Sequence, residues 1–243
     1  MHINTIFFDH GSTLRCTTPD PEFQAAAAKR LLKLTGADMT VEELLELLQQ
    51  NKAKLRKYQL EETLELSEVE LWQQFLLPDF PKEILAANAR ELTLSWRDCE
   101  GIRLERAGVR ETIRELSARG YKLGIIANTP SEHEIPRWLN ESGLSKYFKT
   151  VILSAKVRVR KPDPAIYLLA AKAIGSSSEE CAYIGDNPSR DIEGTLAAGF
   201  SLAICIHEPN TLAKEPPTKK YATDRVIHEI PELLDIFPAI APH

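Results

Sequence analysis

Hydrophobic and polar positions divide the chain into two textures. Residues 3–8 (INTIFF) are a short apolar run rich in β-branched and aromatic side chains, which predicts a buried strand. From about 20 to 98 the apolar positions recur instead at helical spacing, as at Leu44, Leu45, Leu48 and Leu55. That block is expected to pack on itself as a small helical bundle. Thr40 with Glu43, and Ser67 with Glu70, form capping boxes that open two of its helices. Pro81 stands where a first-turn proline would, ahead of KEILAANARELTLSW.

From about 109 onward helix and strand alternate. VRETIRELSAR predicts a helix capped at Gly120, and the strand YKLGIIA follows directly. Further apolar runs, TVILS, CAYIG and SLAICI, are separated by the helical segments PAIYLLAAKAI and DIEGTLAAG. Such alternation implies right-handed crossovers and a parallel sheet. If INTIFF joins that sheet, the helical block is an insertion. PNTLAKEPPTKK (209–220) reads as a loop, and the chain then closes with a short strand and helix. The expected fold class is α/β: a Rossmann-like three-layer core with a parallel sheet over residues 1–15 and 100–243. An all-helical cap domain over 16–99 is inserted into it.

The 243 residues suit one large domain carrying a smaller insert. A net charge of -5 argues against nucleic acid or an anionic membrane as the main partner. It leaves room for a small phosphorylated ligand, which needs only local cations. Cys16, Cys99, Cys181 and Cys205 lie far apart, with no CxxC pair or nearby histidine at ligand spacing. Free thiols in a reducing compartment are therefore expected, rather than zinc or a disulfide framework. No apolar run reaches the length of a membrane span, and MHINTIFFDH lacks the features of a signal peptide. The expected location is cytoplasmic.

In an open parallel sheet the ligand sits beyond the carboxyl ends of the strands. Four such ends carry polar groups: Asp9 after INTIFF, Asn128 after LGIIA, Lys161 after the TVILS region and Asp186 after CAYIG. Carboxylates with a lysine at one rim suit Mg²⁺ and a phosphoryl group, since the metal takes oxygen ligands and the lysine neutralises transferring oxygens. A strand-end Asp can itself be the nucleophile.

With these residues the chain resembles the haloacid dehalogenase superfamily along nearly its whole length. That family opens Asp-x-Asp-Gly-Thr-Leu after a strand, where this chain has Asp9-His10-Gly11-Ser12-Thr13-Leu14. Its second motif, a strand ending in Ser or Thr, is Ala127-Asn128 here. Lys161-Pro162-Asp163-Pro164 matches its third, and Gly185-Asp186 with Asp191 matches its fourth. The helical block falls where the family places its cap. The resemblance implies Asp9 as nucleophile and Lys161 as catalytic and phosphoryl-binding cation. It implies Mg²⁺ at Asp9, Asp186 and the Gly11 carbonyl, supported by Asn187 and Asp191. Asn128, through its backbone N–H, and Thr129 are then expected to contact a small phosphorylated substrate.

Two departures qualify this. Gly11 replaces the Asp that family phosphatases use to protonate the leaving group and then activate water, a loss on the order of a hundred- to ten-thousand-fold. Ala127 replaces the hydroxyl that normally contacts the phosphoryl oxygens, for which Thr129 is a partial substitute. His10 is expected to be structural or solvated, Cys16 to pack near the cap hinge, and the run Lys52, Lys54, Arg56 and Lys57 to form a solvated helix face. The resulting function is a Mg²⁺-dependent phosphohydrolase acting through an aspartyl-phosphate on Asp9. The alternative is a degraded member that binds a ligand or partner without useful turnover. A dehalogenase or phosphonatase fits less well, because the Gly-Asp pair is intact and no cap lysine has a setting that would depress its pKa.

Overall fold

The computed structural model describes residues 2–214, 223 and 225–240. The chain runs β1 (Thr5–Phe8), β2 (Arg15–Thr18), α1 (Pro21–Thr35), α2 (Val41–Glu61), α3 (Glu68–Glu70), α4 (Lys82–Asp98) and β3 (Ile102–Glu105). It continues α5 (Val109–Ala118), β4 (Lys122–Ala127), α6 (Glu134–Glu141), β5 (Phe148–Leu153), α7 (Ser154–Val157), α8 (Pro164–Ile174) and β6 (Cys181–Gly185). The last elements are α9 (Glu193–Ala197), β7 (Leu202–Ile206), α10 (Pro209–Lys214), β8 (Arg225–Ile227) and α11 (Leu233–Ile236).

Six strands form one parallel sheet in the order β5-β4-β1-β6-β7-β8. Successive strand residues point to opposite faces, which divides the core in two. Ile6, Phe8, Ile125 and Ile184 pack on one side with α5 and α6; Phe7, Ile126 and Tyr183 pack on the other with Tyr167 of α8. The chain builds outward from β1 through β4 to β5, then crosses back to lay β6 on the other side of β1. Ligands favour such a reversal point, and the carboxyl ends of β1 and β6 meet there.

The helical block has its own core of Leu31, Leu44, Leu48, Leu55, Trp72, Leu85 and Leu92 among others. Leu45 departs from the expected packing: it lies about 100° around α2 from Leu44 and is 37% exposed. Both capping boxes form as expected. A two-stranded antiparallel ribbon of β2 and β3 brackets the helical block in the chain. At its edge Gly101 has φ +129, and a Cβ there would lie 2.3 Å from the Thr18 carbonyl oxygen, so only glycine fits the crossing. The expected loop at 209–220 is corrected over its first half: Pro209–Lys214 is helical, with Leu212 N–H donating to the Glu208 carbonyl. Residues 215–220 lie outside the described residues.

Candidate active site

Asp9 follows β1 directly, and its N–H donates to the Ile184 carbonyl of β6 at 2.8 Å. The chain then turns sharply, with the N–H groups of Leu14 and Arg15 both donating to the His10 carbonyl. Ser12 sits in the left-handed region at φ 57, a conformation that costs a non-glycine residue roughly 1 kcal/mol or more. Its carbonyl is held by the Arg106 guanidinium. Gly11 between them faces open space: a Cβ built there meets no atom within 4 Å.

Lys161 is buried, and its ammonium has three partners for its three protons. They are Asp9 Oδ1 at 2.8 Å, Asp191 Oδ1 at 2.7 Å and the Tyr183 hydroxyl at 2.7 Å. Asn128 fixes the backbone below it, accepting from Lys161 N–H and donating to the Lys161 carbonyl. Asp191 also accepts from Asn187 N–H through Oδ2, so both its oxygens are engaged. A Cβ at Gly185 would lie 2.3 Å from that Asp191 carboxylate, so the glycine is what lets Asp191 approach. Asp186 Oδ2 accepts from the Thr211 hydroxyl of α10. Asn187 caps the turn after β6, accepting from Arg190 N–H.

Ligand oxygens of Asp9, Asp186 and Asp191 lie within 4.8 Å of one another, all three residues buried. Burial, then the neighbouring Asp9 and Asp191, push the Asp186 carboxyl up to about 8. Burial also raises Asp9, against the pull of Lys161. Burial alone would lower Lys161, but Asp191 and Asp9 outweigh it and hold its pKa above the ordinary value. Two carboxylates thus share one ammonium, and a third acid lies beside them. An all-oxygen donor set with such an excess of negative charge fits a hard divalent cation.

A cavity of about 190 Å³ opens onto this cluster, lined by Asp9, Gly11, Ser12, Asn128, Lys161, Asp186, Arg190 and Thr211. Thr129 is absent from its lining; the hydroxyl instead accepts from Ser131 N–H in a local turn. Ala127, buried, offers no hydroxyl. His10 points away from the cavity into the interior, with its ring 5.0 Å from that of Trp138. Burial lowers its pKa to about 3, so it stays neutral. Tyr183, Arg190 and Thr211 were not foreseen from sequence.

Residues 3–199 match the family model described as a haloacid dehalogenase-like hydrolase. The chain is 31% identical to a glyceraldehyde 3-phosphate phosphatase of Methanopyrus kandleri, over 54% of this chain and 55% of that one. It is 35% identical to the pyrophosphatase PpaX of Listeria welshimeri, over 64% of this chain and 71% of that one. Among solved structures, a 2-haloacid dehalogenase from Pseudomonas syringae superposes with TM-score 0.67 at 21% identity, covering 96% of this chain and 97% of that one. A HAD phosphatase from Thermococcus onnurineus superposes with TM-score 0.60 at 21% identity, covering 98% and 99%. At such identities the structures speak for the fold. Taken with its motifs and its matched residues 3–199, the chain belongs to the haloacid dehalogenase-like hydrolase family.

Proposed function

We propose that the chain is a Mg²⁺-dependent phosphohydrolase of small phosphorylated metabolites, working through an aspartyl-phosphate on Asp9. The observation that carries this is Lys161 held 2.8 Å from Asp9 and 2.7 Å from Asp191, beside Asp186, at adjoining strand ends. Two relatives named as phosphatases support it. Asp9 and Asp186, with the Gly11 carbonyl, would hold Mg²⁺, and Asn187 and Asp191 would brace them. When bound, the metal supplies positive charge against the phosphoryl oxygens and the attacking carboxylate.

Asp9 attacks phosphorus as the bond to the leaving oxygen breaks, and water later attacks the same phosphorus, breaking its bond to the Asp9 oxygen and releasing phosphate. Lys161 neutralises charge on both Asp9 and the transferring group. Asn128 holds Lys161 in place through its backbone. No carboxylate stands at Gly11 to protonate the leaving oxygen, so that proton comes from water and good leaving groups are favoured. The missing groups at Gly11 and Ala127 also favour a second reading, a protein that binds phosphoryl ligands with little turnover.

Beryllium fluoride with Mg²⁺ mimics the phosphorylated aspartate and should raise the unfolding temperature of the wild type. Asp9→Asn should lose that protection and at least about a thousand-fold in turnover. Wild-type turnover in Asp9→Asn would remove Asp9 as the nucleophile. Protection without measurable turnover on a panel of phosphate esters would select the second reading.

A further inference from the structure

Two further cavities flank the one at Asp9. One of about 210 Å³ reaches Asn128, and one of about 270 Å³ reaches Lys161 and Arg190. Arg56, Gln59 and Arg160 line both, so cap helix α2 faces the loop that carries Lys161 across the entrance to the site. The cap is tied to that loop by backbone bonds. Arg160 N–H donates to the Thr63 carbonyl and Glu65 N–H to the Arg158 carbonyl.

The basic run on α2 is thereby split by helical geometry. Lys52 and Arg56, four apart, both line the first cavity, and Arg56 alone of the run also lines the second. Lys54 bonds the Asn51 side chain instead, and Lys57, 77% exposed, lies 3.9 Å from Glu61. The expectation of a solvated face holds for Lys54, Arg56 and Lys57, which are exposed, while Lys52 is half-buried and paired with Glu100 at 3.0 Å.

Arg160 is an unusual group to find at such a place. Its side chain is 11% exposed, its ion pair with Glu65 spans 3.6 Å, and its Nη1 is buried without a hydrogen-bond partner among the described residues. Burial holds its pKa below the ordinary value; Glu65 opposes this, and the nearby positive charge of Arg190 adds to it. A planar guanidinium offers a fork of donors matched to carboxylate or phosphate, and a buried unmade donor is costly. An anion in these cavities meets the Arg160 guanidinium, and Arg56 lines the same two cavities.

We propose that Arg56, Gln59 and Arg160 form a subsite for a second anionic group on the substrate. The substrate class is a small phosphate ester or anhydride whose non-reacting end carries a carboxylate or another phosphoryl group. This rests on the phosphohydrolase reading, which places the reacting phosphoryl group at Asp9.

Calorimetric titration at saturating Mg²⁺ with three non-hydrolysable phosphonates tests it: methylphosphonate, phosphonoacetate and methylenediphosphonate. The wild type should bind at least one of the two doubly anionic probes about ten- to a hundred-fold more tightly than methylphosphonate. Which of the two binds more tightly identifies the second group as carboxylate or phosphoryl. Arg56→Ala and Arg160→Gln should erase the advantage while leaving methylphosphonate unchanged. Lys54→Ala and Lys57→Ala, which remove equal charge from the opposite face of α2, should retain it. If methylphosphonate binds but a second anion brings no advantage, the subsite is overturned and the phosphohydrolase reading stands. If no phosphonate binds, both fall.

Discussion

On one wall of the Asp9 cavity, every proton of the Lys161 ammonium is taken by Asp9, Asp191 or Tyr183, and Asn128 braces the backbone beneath. On the other wall, Gly11 presents no side chain, and a Cβ placed there would touch nothing within 4 Å. The first wall is packed and holds charge; the second is open and holds none. In the proposed mechanism, phosphoryl binding and proton transfer therefore depend on separate residues. On that reading, a glycine at position 11 removes the second while leaving its carbonyl available to the first.

Breaking the packed wall should have the largest effect. Lys161→Met leaves the buried carboxylates of Asp9 and Asp191 without their cation, beside Asp186. It is expected to cost about 3–5 kcal/mol of stability and a hundred- to thousand-fold in turnover, read by urea unfolding and steady-state rates. Wild-type stability in that variant would mean the cluster is not held by Lys161.

Away from the cavity, Glu134 of α6 pairs with Arg97 of α4 at 3.2 Å and Arg103 of β3 at 2.9 Å, tying the end of the helical block to α6. Burial alone would raise its pKa, but Arg97 and Arg103 outweigh that and hold it at about 2, below the ordinary 4.5. The native state thus binds fewer protons than the unfolded chain between those values. The stabilisation is present above about 4.5 and lost as pH falls towards about 2; two to three pH units correspond to about 3 kcal/mol. Glu134→Gln should lose a similar amount at pH 7 and flatten the acid limb of the stability profile. An unchanged limb would place the acid sensitivity elsewhere.

The smallest effect belongs to the turn itself. Ser12→Gly should relieve the φ 57 strain and raise stability by about 1 kcal/mol, or a few degrees in Tm. A loss of stability would show that the Ser12 side chain has a role of its own.

How much of this could be read from the chain follows from where each residue sits. Asp9, Lys161 and Asp186 stand at strand ends, and strand ends are visible wherever apolar runs stop. Tyr183 was invisible because it lies within the apolar run CAYIG, where its ring reads as core and only the tertiary fold brings its hydroxyl to Lys161. Thr211 was hidden by the turn-like composition of 209–220, although α10 delivers it to Asp186. Sequence alone leaves Lys52, Lys54, Arg56 and Lys57 as one basic run, because only the placement of α2 in the fold decides that Lys52 and Arg56 line a cavity beside Asn128. The Ser67 capping box, by contrast, is set within four residues and was fully legible.

The separation of binding from proton transfer is tested most directly by the dependence of kcat/KM on leaving-group pKa. A series of aryl and alkyl phosphates would be measured with wild type and Gly11→Asp. The open space at Gly11 admits the new carboxylate. The wild type should fall steeply as the leaving group becomes more basic. Gly11→Asp should flatten that slope, raising alkyl phosphate rates by about ten-fold or more and aryl rates little. A shallow slope in the wild type would contradict the separation, because it would mean that a proton donor already stands at the open wall.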